Sequence, residues 1–214
     1  MTEEFEVLSD AIYHHLKEDI VTCLLKPGSP ITEGQVTKRY NVSRTPVREA
    51  CFKLEKDGLL QIISNKGYIV SPVSARDINE IYQMRQIFET YAADQIVDSI
   101  TPQELAELKK LCEDSYAGKE LEALKACIAG DFRFHTIIVG TCRNERMTMM
   151  YENLLHQLRR IFFMTMSLDR RAEIEKEHHR IFESLESRDR ELASQLISTH
   201  SQGSKERVLK RLFK

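Results

Sequence analysis

Four of the five prolines in the sequence lie within its first 72 residues, and beyond Asp77 only Pro102 remains. Proline removes a backbone donor and interrupts helices. A long tract almost without it, and without a convincing strand, favours helices packed on one another. Six helices are expected there, near 77–98, 102–116, 119–140, 144–166, 170–186 and 189–212. Their breaks fall at Ser99–Thr101, Gly118, Cys142–Asn144, Leu168–Asp169 and Ser187–Asp189. Thr101-Pro102 followed by Glu104 fits a capped start with proline at the first helical position. The expectation is an all-α bundle over residues 76–214.

The proline-bearing front reads differently. Leu8, Ile12, Leu16, Ile20 and Leu24 recur every four residues, which predicts a helix over about 5–25. Lys26-Pro27-Gly28-Ser29-Pro30 breaks it. Thr32 can cap a second helix near 32–40, with Asn41 as a left-handed stop. A third helix spans about 44–57 and ends at Asp57-Gly58. Two β-leaning runs follow, LLQII (59–63) and YIVSP (68–72), joined by the turn cluster Ser64-Asn65-Lys66-Gly67. Three helices and a hairpin within residues 1–75 outline a winged helix-turn-helix. A short linker around Ser71–Arg76 joins it to the bundle.

Composition excludes several classes. Of 214 residues, 42% are hydrophobic and 30% charged, as in ordinary globular proteins. A net charge of -2 argues against a general nucleic-acid coat protein, although an average can hide a local basic patch. No run of about 18 apolar residues is present to span a membrane. The acidic, polar start MTEEFEVLSD is unlike a signal peptide. The five cysteines form no CxxC pair, so neither a disulfide framework nor a cysteine zinc site is suggested. A reducing cytoplasm is the expected setting.

The stretch NVSRTPVREA at residues 41–50 sets Arg44 and Arg48 one helical turn apart, on one face. A recognition helix meets the major groove with its N-terminal end, and the arginine fork pairs bidentately with guanine. Ser43 and Thr45 can donate to phosphates, and the helix N-terminus itself attracts one. Pro46 falls in the first turn, where its missing N–H leaves nothing unbonded. From Lys38 to Lys53 there are five basic residues against Glu49 alone. The stretch from LLKPGSPITEG through VSRTPVREA, KLEKDGLL and NKGYIV resembles the DNA-binding domain of the GntR family of bacterial transcription regulators. That resemblance implies DNA contacts from Ser43, Arg44, Thr45 and Arg48, and from Asn65, Lys66 and Gly67 at the wing tip. Gly34 stands where the family often has a longer polar side chain.

In the helical half, Asp131 and His135 lie four apart in GDFRFHTIIV, His178 in EKEHHRIFESL and His200 in LISTHSQG. Three imidazoles and a carboxylate suit zinc, nickel or a related divalent ion. Spacing alone does not separate such a set from ordinary surface or core histidines. The segments YQMRQIFETYAADQI, DFRFH, EHHRIFESLESRD and LISTH resemble the FCD effector domain of FadR-type GntR regulators, in its shorter, six-helix VanR-like version. The resemblance implies a metal held by Asp131, His135, His178 and His200; His178, preceded by Glu177 and followed by Ile181, fits better than His179. It further implies that Arg85 points toward a ligand, where a guanidinium would grip a carboxylate. On residues alone, Arg85 is equally read as a surface partner of Glu89 at i,i+4. Tyr82, Arg133 and Asn144 are further candidates for the pocket. Met147, Met149, Met150, Met164 and Met166 read as core or pocket wall.

Three readings follow. The first is a regulator, by resemblance a homodimer and more often a repressor, that binds operator DNA and responds to a small carboxylate. In the second the metal ion itself is the signal. The third is a metalloenzyme, against which stand four protein ligands, no evident general base and a winged helix with no obvious use in a small hydrolase.

Overall fold

The computed structural model describes residues 2–64, 67–114, 120–166 and 171–213. The chain divides into two compact units, Met1–Val73 and Ser74–Lys214. The first contains α1 (Thr2–Val21), β1 (Pro30–Ile31), α2 (Glu33–Tyr40), α3 (Arg44–Lys56), β2 (Leu60–Ile63) and β3 (Gly67–Val70). Ile12, Leu16 and Ile20 of α1 pack with Val47, Ala50 and Leu54 of α3 in one buried core. The ends of the expected stripe are outside it: Leu8 and Leu24 are exposed. α1 stops at Val21, short of the expected end, because the chain turns left-handed at Cys23 (φ 60°) before the Lys26-Pro27 break is reached.

α2 is bounded by side chains that the sequence announced. Thr32 Oγ1 accepts from the Gln35 amide, and Gln35 Oε1 accepts from the Thr32 amide, closing a reciprocal cap. Asn41 closes the other end in the left-handed region (φ 53°). The sheet has one strand more than expected. β3 lies between β2 and β1, antiparallel to both, with Gln61 opposite Ile69 and Pro30 opposite Ile69 on the far side. Pro30, expected only in the helix break, instead opens β1 at the sheet edge, where proline is tolerated. Gly67 makes this pairing possible. Its φ is 98°, and a Cβ there would sit 2.7 Å from Ile31 O.

The second unit holds α4 (Ala75–Ser99), α5 (Pro102–Glu113), α6 (Glu120–Gly140), α7 (Glu145–Thr165), α8 (Arg171–Glu186) and α9 (Arg190–Leu212). The expected breaks at Gly118 and Leu168–Asp169 lie outside the described residues. Ser74 and Thr101 each cap a helix reciprocally, with Asp77 and Glu104. α4 runs along α9 and also touches α6 and α7, so it lines the centre of the bundle. Among the described residues, no helix is long and apolar enough to cross a membrane.

Candidate functional site

α3 divides its residues cleanly. Pro46, Val47, Ala50, Cys51 and Leu54 face the core, while Ser43, Arg44, Thr45 and Arg48 are exposed at its N-terminal end. Ser43 occupies the capping position without a side-chain cap bond, so its hydroxyl is not consumed by the helix. Arg48 Nε donates to Glu33 Oε1 at 2.7 Å, an ion pair from α3 to α2. The pair is exposed, so solvent screens it and Arg48 keeps its remaining donors toward solvent. Gly67 begins β3 and serves the backbone pairing described above; Asn65 and Lys66 lie outside the described residues.

In the bundle, α6 supplies Asp131 and His135, α8 His178 and α9 His200. All four are buried, and one donor atom from each lies within 4.8 Å of the others. His135 Nε2 and His200 Nε2 are 3.2 Å apart, and His178 Nε2 is 3.5 Å from Asp131 Oδ1. Burial pushes His135 and His200 below the usual histidine range, against the pull of Glu89 and Glu177 respectively. Burial and the neighbouring imidazoles push His178 well below it. Neutral rings at neutral pH offer lone pairs, not protons. Asp131 Oδ2 and His178 Nε2 are buried without a hydrogen-bond partner. Converging lone pairs with orphaned acceptors are stable around a cation, and this donor set suits zinc or a neighbouring divalent ion.

Carboxylates hold two of the rings from behind. Glu89 Oε1 lies 3.0 Å from His135 Nδ1, and Glu177 Oε2 lies 2.6 Å from His200 Nδ1. The Glu177 bond orients the His200 Nε2 edge toward the cluster; Glu89 is a close charge neighbour of His135, whose Nδ1 has no well-aligned hydrogen bond. His178 is held by a ring instead, stacked on Phe134 with centroids 4.1 Å apart. Arg85 is wholly buried; its Nε donates to Glu89 Oε1 at 2.7 Å, and its Nη1 and Nη2 have no hydrogen-bond partner. A cavity of about 50 Å³ opens beside the cluster, floored by Asp131 and His200 and walled by Phe162, Met166, Ile174 and Val208, with Thr165, Ser204 and Arg207 as its other polar groups.

Comparison with known proteins decides the family. The model of the bacterial regulatory proteins of the gntR family matches residues 8–70, and that of the FCD domain matches residues 80–203. The chain belongs to the GntR family of transcription regulators, in its FadR-type branch with an FCD domain. It is similar to YdhC of Bacillus subtilis, an HTH-type transcriptional regulator, at 33% identity over 88% of this chain and 85% of that one. It is also similar to the HTH-type transcriptional repressor RspR of Escherichia coli, at 30% identity over 94% and 89%. A GntR regulator structure from Rhodococcus sp. RHA1 shares the fold, with a TM-score of 0.80 at 22% identity, covering 96% of this chain and 99% of that one. Proteins of this family are DNA-binding regulators, not enzymes.

Within this GntR regulator, the residues expected around an effector separate into two groups. Arg85 and Tyr82 are buried, and the Tyr82 hydroxyl shares a 2.8 Å hydrogen bond with Ser204 of the cavity. Glu89 is the partner of Arg85, as the i,i+4 reading expects, but the pair is buried and not at the surface. Arg133 and Asn144 are corrections. Arg133 points outward and forms two bonds to Glu107 of α5. Asn144 is exposed and caps α7 by accepting from the Met147 amide. Of the methionines, Met166 lines the cavity and Met147 is buried, but Met149 and Met150 are exposed. Sequence reasoning missed Glu89, Tyr151, Glu177, Ser204 and Arg207. A usable signal existed in α9, where His200, Ser204 and Arg207 follow at four and three residues.

Proposed function

We propose that this regulator binds operator DNA as a homodimer and senses a small carboxylate in a metal-assisted pocket. Residues 1–75 form the DNA-reading part, with Ser43, Arg44, Thr45, Arg48 and the wing tip Asn65, Lys66 and Gly67 at the duplex. Residues 76–214 form the effector-binding and dimerising part. Asp131, His135, His178 and His200 hold a divalent ion, zinc or nickel, which when bound supplies a Lewis-acid site for an anionic oxygen. Arg85 binds and orients the carboxylate, Tyr82 fixes Ser204 at the cavity wall, and the apolar wall excludes water. The observation that carries this reading is the coincidence of two buried features: four converging donors, and the Arg85 fork with Nη1 and Nη2 unpartnered. A buried guanidinium end left without acceptors costs several kcal/mol unless a ligand or water takes it. Two-fold operators match two-fold proteins. Release of the DNA on effector binding is the commoner outcome in the family, and a protein that works in this way acts in the bacterial cytoplasm.

The test is a thermal-shift screen of small carboxylic acids with and without a chelator. A ligand at about a hundred times its Kd adds roughly 2.7 kcal/mol to the state it binds. The expected outcome is stabilisation by at least one acid that the chelator abolishes, and loss of operator binding with the same acid. Operator binding that follows free metal alone, with no acid active, would contradict it and make the ion the signal.

A further inference from the structure

His200, Gly203, Ser204 and Arg207 share one face of α9. The Arg207 guanidinium forms two parallel bonds to Glu177, Nη1 to Oε1 at 2.8 Å and Nη2 to Oε2 at 2.9 Å. Glu173 Oε1 stands 3.8 Å from Nη1. Gly203 leaves room for this: a Cβ there would meet Arg207 Nη1 at 3.3 Å. Glu177 Oε2 also takes His200 Nδ1, so one carboxylate joins Arg207 to a ring of the donor cluster. Arg207, Ser204, His200 and Asp131 all line the same cavity. Since one water needs roughly 10–15 Å³ of such space, about 50 Å³ takes a few waters or a short carbon chain. The cavity thus has the Arg207 guanidinium and two members of the donor cluster, Asp131 and His200, on its walls.

We propose that Arg207 is a second anion anchor, which makes the preferred effector class a short dicarboxylate. One carboxylate faces the Asp131–histidine cluster and Arg85; the other takes the Arg207 fork in place of Glu177. Glu177 keeps its contact with His200, so exchange at Arg207 reaches a ring of the cluster. This inference rests on the carboxylate pocket proposed above.

The test is calorimetric titration of the zinc-loaded protein with succinate and with butanoate, which share a four-carbon chain and differ by one carboxylate. The wild type is expected to bind succinate at least about tenfold more tightly. In Arg207→Gln the preference disappears because succinate falls toward the affinity of butanoate; Arg207→Lys restores part of it. Arg85→Gln weakens both acids alike. Equal binding of the two acids by the wild type, with Arg85 still required, would overturn the dicarboxylate inference alone. Equal weakening of both acids in Arg207→Gln would also overturn it, since Arg207 would then act only by steadying Glu177. If neither acid binds the wild type, the inference falls together with the carboxylate pocket.

Discussion

Glu89 Oε1 accepts from Arg85 at 2.7 Å and from Tyr151 at 2.5 Å, and lies 3.0 Å from His135 Nδ1. Burial works against its charge, but Arg85, His135 and the Tyr151 hydroxyl outweigh burial and hold its carboxyl well below the usual range. Glu89 therefore stays ionised between the Arg85 guanidinium and the His135 ring of the donor cluster. Outer partners of this kind are typically worth about 10–100-fold in metal affinity. Glu89→Gln, nearly the same shape, should lower zinc affinity by that order in chelator competition while His135 remains in place; an unchanged affinity would remove Glu89 from the site. At the DNA face the matching residue is Arg44, exposed on the first turn of α3. Arg44→Ala should weaken specific operator binding by about 1–3 kcal/mol in anisotropy titrations and relax selectivity at one base pair. A uniform loss across sequences would make Arg44 a phosphate contact instead.

The start of α5 shows how an element can carry a pH signature. Glu104 closes the cap with Thr101 and receives two bonds from Arg143, at 2.7 and 2.8 Å. Arg143 first, then the Thr101 groups, outweigh burial and bring its carboxyl from 4.5 down to about 2. A depressed carboxylate contributes stability that is present above its unfolded pKa and lost as pH falls through the folded one. Because Arg143 is half exposed, solvent screening keeps the contribution small. Glu104→Gln should therefore melt below the wild type at neutral pH, and the difference should close as pH falls from 4.5 to about 2. A gap that persists at the acid end would assign the effect to shape, not charge. Elements like this were legible because the signals are local: Thr32 with Gln35, Thr101 with Glu104, Asn41 as a stop. β1 was not, because two residues carry no period, and its pairing with β3 depends on Gly67, thirty-odd positions away.

At the scale of the whole molecule, each unit has its own core, and each carries one candidate function. The donor set Asp131, His135, His178 and His200 was legible because histidine and aspartate are few and the family resemblance fixed which ones to take. Its surroundings were not. Whether Arg85 is buried, whether Arg133 faces the cavity or Glu107, and whether Glu177 turns toward His200 depend on how six helices rotate against one another, and no periodicity records that. Glu89 was visible as a neighbour of Arg85 yet was read as surface, because i,i+4 pairs of opposite charge are common on exposed helices. The three imidazoles and Asp131 give the account its most direct test, since their buried, converging donor atoms suit a cation. The measurement that tests this most directly is metal content per chain after purification and zinc loading, compared between the wild type and His178→Ala, with circular dichroism to confirm the helices. Close to one divalent ion per folded wild-type chain, and close to none in the variant, is the predicted result. A folded wild-type chain that retains no metal, or a variant that retains as much, would contradict it.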